Sequence, residues 1–66
     1  MKLYFVRDHN YEQCAIFVKK RDAIKYSKEN GFPEPEEHKY PVTKKGMLDA
    51  MEDAAGLAGN VVEVHA

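Results

Sequence analysis

Thr43-Lys-Lys-Gly-Met-Leu-Asp-Ala-Met-Glu-Asp-Ala-Ala-Gly-Leu-Ala58 is the stretch whose periodicity decides the fold. Met47, Leu48, Met51, Ala54, Ala55 and Ala58 trace one apolar stripe at helical spacing, with Asp49, Glu52 and Asp53 on the other side. Thr43 is a good N-cap, because its hydroxyl can accept a hydrogen bond from an amide of the first turn. Gly59-Asn60 supplies the stop. The stretch therefore reads as an amphipathic helix that must lay one face on something flat.

The flanks supply that surface. After the stop, Val61-Val-Glu-Val64 reads as a closing strand. Before the cap, His38-Lys-Tyr-Pro-Val42 alternates, with His38, Tyr40 and Val42 on one side. Pro41 has no amide hydrogen, so this strand lies at a sheet edge or ends near Pro41. Pro33-Glu-Pro-Glu-Glu37 is a stiff acidic connector. Upstream of it, Ala23, Ile24 and Ser27 fall at helical spacing between Lys20 and Asn30, with Tyr26 flanking them. Asn30-Gly31 can take the left-handed cap and Pro33 forbids continuation.

Two strands precede that helix. Lys2-Leu-Tyr-Phe-Val-Arg7 alternates Leu3 and Phe5 with Tyr4 and Val6, and Gln13 to Val18 follows after the turn residues Asp8-His-Asn10. An antiparallel hairpin is the economical pairing. The order is β-β-α-β-α-β, an α+β class. The simplest packing is a small sheet of three to four mainly antiparallel strands with two helices packed on one face.

The 66 residues make one domain, 1–66. A domain this short buries roughly 60% of its unfolded surface. Its core is expected to supply only about 3–5 kcal/mol, so a homodimer is a possible supplement. Cys14 is the only cysteine, which excludes an internal disulfide and fits a reducing compartment. No stretch has the ~18–20 apolar residues of a membrane span, and Met1–Val6 runs at once into Arg7 and Asp8, unlike a signal peptide. The expected setting is cytoplasmic, without membrane association.

Catalytic chemistry has little to draw on. Ser27 is the only serine, and no glycine-rich loop precedes a helix. Cys14 lies among apolar neighbours, where a thiol is ordinarily a small buried hydrophobe rather than a nucleophile paired with His9. His9, His38 and His65 lack the paired close spacing of zinc ligands, so no metal and no cofactor are expected. The chain is read as not an enzyme. Gly46, near the start of the second helix, either permits close approach of a partner or ligand or is a tolerated weak helix former.

Charge is the informative anomaly. The net charge is −1, which removes any bulk attraction to nucleic acid and leaves local clustering as its only source. Lys19-Lys20-Arg21 opens the first helix and Lys44-Lys45 the second, although helix N-termini prefer acids by roughly 0.3–1 kcal/mol per exposed charge. Amides plus these cations make candidates for anion or nucleic-acid binding, unless Glu34–Glu37 neutralise them. Asp49, Glu52 and Asp53 make a candidate acidic face for a protein partner. Tyr4, Tyr11, Tyr26 and Tyr40, with Phe32, exceed what so small a core needs, and aromatics of that kind serve interfaces.

Tyr4-Phe-Val6, Ala15-Ile-Phe-Val18-Lys-Lys-Arg-Asp-Ala23, Tyr26, Gly31 and Tyr40-Pro-Val42-Thr-Lys-Lys-Gly-Met-Leu48 together resemble small uncharacterised phage-encoded proteins. Those share a strand hairpin, an Arg-Asp/Glu-Ala helix start and a later Lys-x-Gly-Leu/Met helix start. The resemblance spans most of the chain and carries fold rather than chemistry. It implies a phage or mobile-element accessory protein that binds and modulates a host macromolecule inside a bacterial cell, for example as an inhibitor of a defence or replication enzyme. Nucleic acid is the alternative partner to a host protein.

Overall fold

The computed structural model describes residues 1–10, 12–58 and 61–65. Six elements follow in the expected order: β1 (Lys2–Arg7), β2 (Gln13–Phe17), α1 (Lys20–Asn30), β3 (Glu36–Lys39), α2 (Lys44–Ala58) and β4 (Val61–His65). They form one four-stranded mixed sheet, order β3-β1-β2-β4, with the two helices packed on it. β1 pairs antiparallel with β2 and with β3, and β2 pairs parallel with β4.

The local signals operate as their chemistry requires. Asp8 Oδ1 accepts the Glu12 amide at 2.8 Å, closing the hairpin turn. Gly31 takes φ 66° and its amide donates to the Lys28 carbonyl, so α1 ends in a left-handed cap. Thr43 Oγ1 accepts the Gly46 amide at 2.9 Å and starts α2. The expected stop of α2 at Gly59-Asn60 lies outside the described residues, as does Tyr11.

β3 begins two residues earlier than the alternation suggested and stops before Pro41. It lies at the sheet edge, where a missing amide hydrogen breaks no ladder. The Tyr40 amide still reaches the Met1 carbonyl at 2.8 Å, and Val42 leaves the sheet altogether with 80% exposure.

The helices do not share a face. α1 covers Val6, Ala15, Phe17 and the flanking Tyr4, whereas α2 covers Leu3, Phe5, Cys14 and Ile16. Topology explains this. β2, β3 and β4 all run the same way, so β2-α1-β3 and β3-α2-β4 are both parallel crossovers. The first travels from β2 outward past β1, and the second travels back across the whole sheet. Crossovers of one hand that move in opposite directions must pass over opposite faces, and right-handedness is strongly favoured.

The stripe on α2 is also shifted. Met47 and Ala54 face the core as expected, but Leu48 and Met51 are exposed and Ala50 is fully buried instead. Gly46, Ala50 and Ala54 recur every four residues and let the helix backbone lie close on the sheet, which turns the longer Leu48 and Met51 outward. Gly46 has its own reason. A Cβ there would sit 2.0 Å from the Pro41 carbonyl oxygen, so the close approach it permits is that of the chain's own connector.

Candidate nucleic-acid interface

Because β2, β3 and β4 run in parallel, their carboxyl ends share one end of the sheet, and each crossover helix begins there. Lys19 follows β2, and Lys20 and Arg21 occupy the first turn of α1. Lys44 and Lys45 occupy the first turn of α2. Lys2 opens β1 and stands opposite Lys39 at the end of β3. Seven of the chain's ten Lys and Arg side chains thus gather at one end, all of them exposed. Asp22, in the first turn of α1, is an acid placed among them, and Glu37 lies two residues before Lys39 on β3.

None of the seven forms an ion pair among the described residues. Of the acidic connector, Glu36 is engaged elsewhere, bridged by Arg7 at the opposite end of β1. Glu34 and Glu37 line a groove together with Lys20, but neither forms an ion pair with the basic helix starts among the described residues. Lys19, at the N-cap of α1, makes no side-chain capping bond, and among the described residues no side chain accepts from the first amides of that helix. The two basic turns approach from opposite faces of a molecule measuring 31 × 25 × 15 Å, within reach of one polyanion.

The acidic candidates are arranged differently. Asp49 is half-buried, and Glu52 and Asp53 are exposed beside His38 and Gly56 in a shallow depression. Asp53 Oδ2 accepts the Tyr40 hydroxyl proton at 2.7 Å. Burial, and then that hydrogen bond, push the Tyr40 phenol up to about 12. Tyr40 also belongs to a stack with Phe5 and His38, whose ring centroids lie 4.3 Å apart.

The remaining chemistry-bearing groups have structural partners. Cys14 is buried, and burial pushes its thiol up to about 11, which keeps it protonated at neutral pH. Ser27 is buried and its hydroxyl donates to the Ile24 carbonyl at 3.0 Å. His65 stacks on Phe17, centroids 4.4 Å apart, and His9 meets the Phe32 ring edge-on. Among the described residues no three His, Cys, Asp or Glu side chains gather as metal ligands, and no helix is long and apolar enough to cross a membrane.

Sequence reasoning found five of the seven gathered cations and missed Lys2 and Lys39. Their only signal was position at the first and last residues of strands whose pairing the sequence does not reveal. It also missed a groove of about 620 Å³ between α1 and β3, floored by Tyr4 and Phe32. No family model, curated protein or solved structure matches the chain.

Proposed function

We propose that this chain is a non-enzymatic binding protein whose partner is nucleic acid, held through the phosphate backbone at the carboxyl end of the sheet. The observation that carries this is the convergence of Lys2, Lys19, Lys20, Arg21, Lys39, Lys44 and Lys45 without an ion pair among the described residues. Gathering like charges opposes folding, and placing them at helix N-termini adds to that cost. An anionic partner reverses both effects, because phosphates accept from the free amides and release condensed counterions. The inferred setting, from the resemblance to phage-encoded proteins, is the bacterial cytoplasm.

Fluorescence anisotropy with a labelled 20-nucleotide strand and its duplex at 50 mM salt tests the reading. Dissociation constants in the micromolar range are expected, typical of backbone-directed binding. No binding to either at 50 mM removes it.

A second reading has its own observation. On α2 the exposed Leu48 and Met51 run beside Glu52, an apolar stripe with an acidic border of the kind that recognises a protein. Reversing Asp49, Glu52 and Asp53 to lysine separates the two. Under the first reading oligonucleotide affinity is kept or rises; under the second, capture of a bacterial protein partner is lost.

A further inference from the structure

We infer that the groove beside α1 is a subsite for a single unstacked nucleobase, so that the protein prefers single strands to duplex and amino-bearing bases to thymine or uracil. This rests on the nucleic-acid reading and adds the part of the ligand that is not phosphate.

α1 lies over β1 and β2, and on that side of the sheet β3 has no helix above it. Register places Lys2 opposite Lys39 and Tyr4 opposite Glu37, and alternation turns all four toward the α1 side. Between this strip and α1 runs the groove of about 620 Å³, within the range of small-ligand sites. Its floor includes the half-buried rings of Tyr4 and Phe32; Lys20 and Lys28 line it from α1, Glu34 from the connector and Glu37 from β3.

The polarity of this lining selects an occupant. Glu34 and Glu37 offset Lys28 and repel a phosphate from the interior, while Lys2, Lys39 and Lys20 attract one to the end of the groove at the basic edge. A flat group with hydrogen-bond donors on its rim, attached to an anionic backbone, meets both demands. A nucleobase stacks on aromatic rings whatever its identity. A carboxylate accepts best from an exocyclic amino group, as on cytosine, and thymine has none. A base paired inside a duplex cannot enter, because both of its faces are already stacked.

The test measures binding of dC12, dT12, rC12 and a 12-base-pair duplex by anisotropy at 50 mM salt. The expected order places dC12 at least 5-fold tighter than dT12 and than duplex, with rC12 reporting whether the sugar matters. Tyr4→Leu and Phe32→Leu should each weaken dC12 by about 5- to 100-fold while leaving the salt dependence unchanged. Photocrosslinking of bound dC12 should mark the peptide holding Tyr4 or Phe32, which decides the matter even where Tyr4→Leu fails to fold. Equal affinity for dC12 and duplex, unchanged affinity in both leucine variants, or crosslinks confined elsewhere would overturn the subsite and leave phosphate binding standing. Failure of the unmodified protein to bind any of the four removes both.

Discussion

The two ends of the sheet treat charge in opposite ways. At the amino ends of β2 and β3, acids from the turn and connector stand near Arg7, and the Arg7–Glu36 bridge ties β1 to β3. At the carboxyl ends, seven cations stand together with no such bridge among the described residues. The first arrangement is complete within the chain. The second, under the proposed function, is completed by an anion, and a net charge of −1 conceals the difference. Function in so small a domain is therefore to be sought in how charge is distributed along the strands, not in its sum.

The largest effect should come from reversing the uncommitted end. Lys19→Glu, Lys20→Glu, Lys44→Glu and Lys45→Glu together should weaken oligonucleotide binding at least a hundred-fold, since four phosphate contacts become repulsions. The thermal midpoint should hold or rise, because acids at helix N-termini are favourable. Reversal of the exposed Glu12 and Glu29 at the other end should leave affinity within a few-fold. Equal losses from both ends would erase the contrast.

A smaller effect, on folding, tests how the basic turn of α2 is held against the end of β3. Gly46→Ala drives a methyl into the Pro41 carbonyl and should cost about 1–3 kcal/mol of stability by denaturant titration. For a domain of this size each kcal/mol lowers the melting temperature by roughly 4–8 °C. An unchanged midpoint would mean that the connector is free to move and the cations of α2 are not pinned.

The smallest effect concerns the acidic side of α2. Tyr40 ionises near 12 in the fold against an ordinary 10.0, and Cys14 near 11 against 9.0. Both groups hold their protons more tightly when folded, so their contribution is full below pH 9. It falls as pH rises, through 9–11 for the thiol and 10–12 for the phenol. Melting temperatures from pH 8 to 12 should show this decline. Tyr40→Phe should flatten its upper part and cost about 0.5 kcal/mol at pH 7, as one exposed hydrogen bond. An identical alkaline profile in the variant would release Asp53 from its role inside the fold.

Element order was legible because turn chemistry is local: Asp8, Gly31, Thr43 and Pro41 act on neighbours within a few residues. The face each helix takes was harder to read, since it follows from strand order, and strand order depends on pairings between distant segments. One signal did exist. Cys14, Ala15, Ile16 and Phe17 are all buried without a polar break, the pattern of a strand covered on both faces rather than one. On α2 the large side chains misled, because Leu48 and Met51 dominate a hydrophobic stripe while the small Gly46, Ala50 and Ala54 decide which side can approach the sheet. The basic helix starts were visible in sequence, and their company was not: Lys2 and Lys39 join them only through the pairing of β1 with β3.

The salt dependence of single-strand binding reports directly on whether the basic end grips phosphates. Each contact contributes about −0.7 to the slope of log affinity against log salt concentration. Four or five contacts from the convergent lysines predict a slope near −3, or about a fifty-fold loss between 50 and 200 mM salt. A slope shallower than −1 would show that these side chains do not meet a polyanion, and would contradict the account at its centre.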